Sequence, residues 1–175
     1  MEKINIQFYK HKHAEFIIGS FDHKLCLLDY RYRKMRSTVD KRIQRGLRAE
    51  YVERFDETIE VTRTQLEEYF RGERTLFDIP LLMVGSEFQR KIWDALMKIE
   101  YGKTSSYSDL AKSVGEKNAV RAVANANGAN SMAIIIPCHR IIGSNGALVG
   151  YGGGLPLKRR LLEIEKCEKK QLEML

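Results

Sequence analysis

The sequence predicts an α+β protein in which strands come first and helices follow. Three segments in the first 30 residues mix β-branched and aromatic residues with polar ones, which is typical of short strands: INIQFYK, AEFIIGSF and KLCLLDYRY. From Ser86 onward, apolar residues recur at helical spacing. This change of pattern places a domain boundary near residues 78–86, and we expect domains at 1–80 and 81–175.

The composition is that of an ordinary globular chain. Its 175 residues are enough for one domain or two small ones, and 43% of them are hydrophobic and 30% charged. No apolar run approaches the roughly 20 residues of a membrane span, and the N-terminal stretch does not resemble a signal peptide. We therefore expect a cytoplasmic protein, or a nuclear one if the source is eukaryotic.

The charge is basic and unevenly distributed. The net charge is +7 and the pI about 9.3, with a net of +2 over residues 1–78 and +5 over residues 79–175. Such a balance favours polyanionic partners such as nucleic acid, although many other proteins are basic. The run from Arg31 to Arg48 holds eight basic residues against Asp40 alone. It is interpreted as a solvated loop or helix face, with a phosphate-contacting patch as the alternative.

Only one helix is indicated in the first half. Residues 31–56 show no clear period, whereas Thr62–Arg71 has helical spacing and is closed by Gly72. The apolar face of that helix consists of Leu66, Tyr69 and Phe70.

Helical signals dominate the second half. Ser86 and Gln89 have the spacing of a capping box at the start of a helix that Gly102 stops. The apolar stripe of this helix is Phe88, Ile92, Ala95, Leu96 and Ile99.

Two shorter helices follow and form a helix-turn-helix pattern. The first opens at Ser106 and ends before Gly115, and the second is predicted over residues 118–127, ended by Gly128. Helix pairs of this kind are also common in protein cores, so the pattern alone leaves DNA binding and a plain core pair both open.

A cysteine follows an apolar segment near residue 136. Ala133–Ile136 is β-branched and predicts one buried strand, which Pro137 ends. Cys138 comes next, with His139 as a base and Arg140 as a positive charge beside it, and both favour a thiolate nucleophile. The alternative is that Cys138 is a small buried hydrophobic residue.

The chain ends with a loop, a helix and a charged tail. Gly150–Gly154 is a glycine-rich loop, and Pro156 suits the first turn of a last helix. The tail from Glu165 is charged and expected to fray. The apolar stripe of the last helix is Leu157, Leu161, Leu162 and Ile164.

The segment Ile136–Ile141, which reads IPCHRI, resembles the active-site signature of the O6-alkylguanine-DNA alkyltransferases, also called methylated-DNA–protein-cysteine methyltransferases. The resemblance extends in order and spacing over about 80 residues. It includes Phe88-Gln89, Trp93, Ser106-Tyr107, Ala119–Val123, Asn130, Gly150-Tyr151, Gly153–Leu155 and Glu165. Residues 1–78 resemble the variable N-terminal domain of the family only in length and layout. The resemblance implies a ribonuclease H-like antiparallel sheet with a helix for that domain, in a structural role.

The resemblance implies a reaction on double-stranded DNA. The damaged base is flipped out of the duplex, and the second helix of the helix-turn-helix enters the minor groove, unlike the major-groove docking that is usual for this motif. Arg121 would fill the space left by the base, and Tyr107 would rotate the target phosphate and donate a hydrogen bond to the base. The other DNA-binding residues implied are Ala119, Ala122 and Asn127.

Direct transfer of an alkyl group is the implied chemistry. Cys138 would take the methyl group of O6-methylguanine, and of O4-methylthymine, after His139 accepts its proton through a water molecule. Glu165 would orient His139, and Asn130 would tie the recognition helix to the active-site segment. The implied pocket residues are Pro137, Arg140, Ile141, Tyr151, Gly152 and Gly153. The thioether product cannot be hydrolysed readily, so one monomer would act once, without a cofactor or a protein partner.

Some features depart from the family pattern. Asn127 and Gly128 stand where some members have bulkier side chains, and Gly152 where some have Ser or Arg, which leaves the preferred alkyl size open. Some members bind zinc in the first domain, but this chain does not match their cysteine-rich pattern, so no metal is expected. The nearby residues considered for a metal were His11, His13, His23 and Cys26.

Three other functions compete with repair. Alkyltransferase-like proteins bind lesions without reacting but have Trp at the nucleophile position, where this chain has Cys138. A regulatory helix-turn-helix protein of this family would carry a cysteine-rich sensor domain that the first half lacks. A Cys–His hydrolase would need an oxyanion hole that nothing here predicts.

Overall fold

A computed structural model describes residues 1–166 of the chain. The chain divides into two compact units, Met1–Gly85 and Ser86–Leu175. The division lies a few residues after the boundary expected at residue 80. The architecture is mixed α+β, as predicted: a small sheet with helices in the first unit, and mostly helices in the second.

The first unit is built on a four-stranded sheet in the order β3-β2-β1-β4. Its strands are β1 (Glu2–Lys10), β2 (Glu15–Phe21), β3 (Lys24–Tyr30) and β4 (Ala49–Glu53). The three predicted strands of the first 30 residues are therefore confirmed. They form an antiparallel meander, but β4 pairs in parallel with β1. The prediction of an antiparallel sheet is wrong for this strand, because a helix before β4 returns the chain in the direction of β1.

That helix, α1 (Arg36–Leu47), lies in the segment that shows no clear period in the sequence. Only Val39 and Ile43 of α1 are buried, and they join a core cluster with Ile4 and Ile6 of the sheet. The apolar residues of α1 are Val39, Ile43 and Leu47, and the charged and polar residues between them leave only a weak helical period in the sequence.

Helix α2 (Glu57–Phe70) begins earlier than predicted. The carboxylate of Asp56 caps it by accepting a hydrogen bond from the Ile59 amide. The first turn contains two glutamates, which suit the positive end of a helix dipole but carry no apolar signal.

The basic run from Arg31 to Arg48 lies largely on α1, in agreement with its interpretation as a helix face. Part of its charge is neutralised within the unit. Arg33 and Arg36 bind the buried carboxylate of Asp29 at 3.2 and 2.8 Å, and Arg36 also pairs with Asp40 at 2.8 Å. These two arginines therefore stabilise the unit itself, which weakens the case for a phosphate-contacting patch.

The second unit contains four helices, one 3-10 helix and a short two-stranded pair within its described residues. The helices are α3 (Glu87–Leu96), α4 (Tyr107–Ser113), α5 (Val120–Gly128) and α6 (Leu155–Ile164), and the 3-10 helix is Cys138–Arg140. The strands β5 (Ser105–Ser106) and β6 (Ile141–Ile142) run parallel.

The predicted starts of α3 and α4 are confirmed, whereas α5 begins at Val120, two residues after its predicted start. Ser86 and Gln89 form the capping box of α3, and the Ser106 hydroxyl accepts from the Asp109 amide at the start of α4. Helix α5 ends at Gly128, as predicted. It closes without a left-handed glycine cap, because its C-cap is Ala129 in a right-handed conformation.

The predicted strand at Ala133–Ile136 is also wrong. The segment is buried, but it forms a tight turn in which Ile134 has a φ of 72°. The Ile135 amide donates to the Ala133 carbonyl at 2.8 Å, and the Ile136 amide donates to the Met132 carbonyl at 2.9 Å. Local hydrogen bonds thus replace the ladder that a strand would need.

The end of the described chain is more ordered than expected. Glu165 was predicted to begin a fraying tail, yet it is buried directly after α6. The rest of the tail, with Cys167, lies outside the described residues. Among residues 1–166, no helix has the length and apolar character that crossing a membrane requires.

Candidate active site

Asn130 organises the turn that leads to Cys138. It lies just after α5 and is buried. Its side-chain oxygen accepts from the Met132 amide at 2.9 Å, and its nitrogen donates to the Ile136 carbonyl at 2.8 Å. One amide side chain therefore satisfies backbone groups at both ends of the turn, which links the end of α5 to the start of the 3-10 helix.

Cys138 is the first residue of the 3-10 helix and is half-buried. The Asn130 nitrogen lies 3.2 Å from its sulfur and donates to it. A donor directed at the sulfur favours the thiolate over the thiol. The sulfur is thus held at a fixed place and remains partly accessible.

His139 and Glu165 form a buried pair next to Cys138. The His139 Nε2 atom lies 2.9 and 3.1 Å from the two carboxylate oxygens of Glu165, and neither residue is more than 1% exposed. A carboxylate only accepts hydrogen bonds, so Nε2 carries the proton. The other ring nitrogen, Nδ1, is buried and has no hydrogen-bond partner among the described residues. Nδ1 is therefore available as a proton acceptor.

Arg140 binds the same carboxylate from another side. Its Nη2 and Nε atoms donate to Glu165 at 2.7 and 3.0 Å, and its Nη1 atom donates to the Ile99 carbonyl at 2.6 Å. Burial on its own would raise the pKa of Glu165, but the charges and hydrogen bonds of His139 and Arg140 outweigh it and lower the pKa to about 2. Glu165 is therefore a carboxylate at any physiological pH.

Tyr107, the first residue of α4, is near enough to Cys138 for a thiolate there to affect the pKa of its hydroxyl. Burial raises the pKa of its hydroxyl, the negative charge of a Cys138 thiolate adds to this, and a hydrogen bond with Asn127 opposes it. The hydroxyl therefore keeps its proton and can act as a donor.

Comparison with known proteins identifies the family. The domain described as "6-O-methylguanine DNA methyltransferase, DNA binding domain" matches residues 87–167. A Mycobacterium tuberculosis protein named methylated-DNA–protein-cysteine methyltransferase is 54% identical over 102 residues, 58% of this chain and 62% of its own length. The constitutive methyltransferase of that name from Bacillus subtilis is 49% identical over 110 residues, 67% of its length. The crystal structure of Mycobacterium tuberculosis OGT in complex with DNA matches 98% of this chain and 99% of its own, with 34% identity and a TM-score of 0.77. The chain belongs to the methylated-DNA–protein-cysteine methyltransferase family.

The structural match covers more of the chain than the sequence alignment does. The sequence alignment with the mycobacterial protein spans 62% of that relative's length. The structural match to OGT extends over both units, including the sheet of the first.

Within this family fold, the structure brings the residues predicted as catalytic together around Cys138. The Asn130 side chain donates to the thiol, and His139 is the next residue of the chain and binds Glu165. Tyr107 is near enough for a thiolate at Cys138 to raise the pKa of its hydroxyl. Their functional roles stay predictions.

The predicted pocket residues lie in a loop near His139 and in or beside the 3-10 helix. Tyr151 packs edge-on near His139, with ring centroids 6.4 Å apart, and belongs to the same loop as Gly152 and Gly153. Pro137 and Ile141 are buried on either side of the 3-10 helix. The Arg140 guanidinium, by contrast, is engaged by Glu165 and Ile99, so the structure favours a supporting role over a pocket wall.

The predicted DNA-binding residues lie on or next to α5. Arg121 and Ala122 are exposed near its start, and Ala119, its N-cap, is half-buried. Asn127 is only 7% exposed, so its side chain points into the unit instead of lying on the same exposed surface. For Asn127 a support role next to Tyr107 fits the structure better than the predicted contact with DNA.

Sequence reasoning missed Lys158. This residue of α6 is fully buried, and its ammonium group donates to the carbonyls of Val149 and Gly150 at 2.7 and 3.3 Å. A lysine beside Leu157 in an amphipathic helix reads as a solvated residue.

The histidines and cysteine considered for a metal in the first unit do not converge on a site. Across residues 1–166, no group of three or more His, Cys, Asp or Glu side chains is placed to hold a metal ion. His11 instead stacks on Phe70, with ring centroids 4.0 Å apart, and His13 lies near both.

Proposed function

We propose that this protein repairs DNA by transferring the methyl group of O6-methylguanine, and of O4-methylthymine, to Cys138. The observation that carries the proposal is the buried His139–Glu165 pair beside a half-buried cysteine, at the active-site segment of this family. The names of the relatives support the same reaction.

The proposed step is a displacement at the methyl carbon. The Cys138 proton passes to His139 Nδ1 through water, and the sulfur attacks the methyl carbon in line with the C–O bond. The S–C bond forms as the C–O bond breaks, its electron pair moves to the guanine, and the guanine anion takes a proton from water to become the normal base. Tyr107, which keeps its proton, donates a hydrogen bond to the leaving base.

The transfer is irreversible and happens once per molecule. The product is a thioether without a good leaving group, and the proposed chemistry contains no step that removes the methyl group. Neither a cofactor nor a metal takes part, because the DNA itself supplies the methyl group.

Access to the base requires that it leave the duplex. Flipping a nucleotide costs a few kcal/mol, and Arg121 on the exposed side of α5 would occupy the space that the base leaves. The exposed Ala122 and the half-buried Ala119 suit close approach of α5 to a narrow minor groove. The crystal structure of the mycobacterial relative in complex with DNA supports DNA as the partner.

No protein partner is needed for this chemistry, since every residue of the proposed site comes from one chain. We therefore propose a monomer. A cytoplasmic location, or a nuclear one in a eukaryote, places the protein with its substrate.

A pair of cysteine variants tests the proposed reaction. Cys138→Ser and Cys26→Ser are each mixed with a duplex containing one O6-methylguanine, and methyl transfer is followed by intact mass. Cys26 is the matched control because it is fully buried and burial raises the pKa of its thiol to about 12. We expect no transfer to Cys138→Ser and normal transfer to Cys26→Ser. Transfer to Cys138→Ser at the wild-type rate would overturn the assignment of the nucleophile.

A further inference from the structure

Lys158 is the one lysine among the fully buried large side chains of the described chain. Burial lowers the pKa of its amine to about 8, and the nearby Cys138 acts in the opposite direction. Burying a charged ammonium group is costly unless it is hydrogen-bonded. The carbonyls of Val149 and Gly150 accept from it at 2.7 and 3.3 Å.

These two carbonyls lie at the entrance of the glycine-rich loop Gly150–Gly154. The exit of the loop begins helix α6, because Gly154 is its N-cap and the Gly154 carbonyl accepts the helical backbone hydrogen bond of the Lys158 amide at 3.1 Å. Gly154 has a φ of 91°, a conformation that favours glycine, and its amide donates to the Tyr151 carbonyl at 3.0 Å. The Lys158 side chain thus ties the entrance of the loop to the helix that the exit of the loop begins.

We propose that Lys158 is a positioning residue that fixes the shape of the loop Gly150–Gly154, so that the backbone of this loop distinguishes alkylated guanine from the normal base. The inference rests on the proposed function and on the predicted base pocket, which includes Tyr151, Gly152 and Gly153 of this loop. Lys158 does not touch the substrate and acts only through the loop.

Loss of the ammonium group leaves the Val149 and Gly150 carbonyls without their charged donor. A hydrogen bond to a charged group contributes more than one between neutral groups, and a tenfold change in binding corresponds to about 1.4 kcal/mol. We therefore expect Lys158→Met to lower the preference for lesion DNA by about tenfold. Affinity for undamaged duplex depends on other surfaces, including α5, and should change less than about twofold.

The experiment measures binding in a Cys138→Ser background, which removes the chemical step and any effect of Lys158 on the thiolate. Fluorescence anisotropy gives the Kd for a duplex with one O6-methylguanine and for the same duplex with guanine. Arg160→Met is the matched control, because it removes one positive charge from an exposed position of the same helix. We expect Arg160→Met to leave the ratio of the two Kd values unchanged.

A second variant and a second readout cover the case in which Lys158→Met does not fold. Lys158→Gln retains an N–H donor without the charge and should show a smaller loss of lesion preference. Hydrogen exchange should be faster in the loop amides of both variants and unchanged in the first unit. An unchanged Kd ratio with unchanged loop exchange would overturn the role of Lys158. Absence of any lesion preference in the Cys138→Ser parent would instead count against the proposed function.

Discussion

A single carboxylate, Glu165, holds the two side chains that follow the nucleophile. It binds His139 at 2.9 Å and Arg140 at 2.7 Å, and it is almost completely buried. Burying a charge is tolerated only when its partners compensate for the lost water. The position of His139 beside Cys138 therefore depends on the charge of Glu165 and not only on its shape.

Removing the charge of Glu165 should greatly reduce both stability and the rate of methyl transfer. We expect Glu165→Gln to lower the free energy of unfolding by about 3–5 kcal/mol, because it leaves the buried Arg140 without its counter-ion. Methyl transfer should slow at least about tenfold as His139 loses its orientation. Urea denaturation and single-turnover kinetics measure the two effects. Glu163→Gln is the control, since Glu163 is exposed and pairs with Arg160 at 3.5 Å; an equal loss in both variants would argue against a special role for Glu165.

The pH dependence of stability gives an independent test. The pKa of Glu165 is about 2 in the folded protein against its ordinary value of 4.5. A carboxyl group whose pKa is lowered by folding stabilises the fold above its ordinary pKa and loses that contribution as pH falls towards the lowered value. The stability difference between wild type and Glu165→Gln should therefore be constant above about pH 5 and shrink as pH falls towards 2. A difference that stays constant to pH 2 would contradict the ion pair.

The sequence could reveal some of these residues and not others. Cys138, His139 and Arg140 are adjacent and carry a recognisable chemistry. Glu165 enters the prediction only through the family resemblance, because a glutamate in a charged tail gives no sign that it is buried. Lys158 was missed for the same reason, since burial of a charged group depends on acceptors that only the folded chain brings to it.

Helix α5 is the element that would meet DNA. The Ala126 carbonyl accepts from the Trp93 indole of α3 at 2.9 Å, so α5 is fixed to the body of its unit. Its buried side carries Val123 and Ala126, and the exposed Arg121 lies near its start. A rigid helix with an exposed arginine can insert that side chain into the duplex without a large loss of conformational freedom.

Removal of this side chain should affect base flipping alone. We expect Arg121→Ala to weaken lesion binding and slow repair of duplex DNA by about tenfold or more, consistent with a flipping cost of a few kcal/mol. The reaction of Cys138 with iodoacetamide should be unchanged, since that reagent needs no flipped base. Lys98→Ala, an exposed basic position outside α5, should leave both rates unchanged. An unaltered rate of duplex repair in Arg121→Ala would count against its role in flipping.

Helices and strands could be predicted from the sequence where neighbouring residues alone determine them. The caps at Ser86 and Ser106 and the strands of the first 30 residues follow directly from residue type and spacing. The strand predicted at Ala133–Ile136 failed because an apolar β-branched run shows burial but not hydrogen-bond partners. Those partners come from within the turn and from Asn130, and the side-chain bonding of Asn130 is not visible in the sequence. Helix α1 was missed because few of its positions face the core.

The two units differ in net charge and in whether they carry the proposed site and the family match. The second unit carries the proposed site and a net of +5 over residues 79–175. The first carries a net of +2 over residues 1–78, and two of its arginines bind its own aspartates. The family signature covers only the second, whereas the structural match to OGT covers both.

The net charge of +7 predicts how undamaged DNA is bound. Contacts to phosphates release counter-ions, so affinity for undamaged duplex should fall steeply and log-linearly with salt concentration. Lesion preference depends on the pocket and should change little over the same range. Anisotropy titrations at several salt concentrations measure both. A salt-independent affinity for undamaged duplex would contradict an electrostatic mode of binding.

Peptide mass mapping detects the proposed irreversible methylation of Cys138 itself. The wild-type protein is incubated with excess duplex containing O6-methylguanine and then digested. We expect the peptide containing Cys138 to gain one methyl group in place of one hydrogen, the gain to stop at one per molecule, and the guanine to be restored. An unmodified Cys138 peptide, with or without bound DNA, would contradict it.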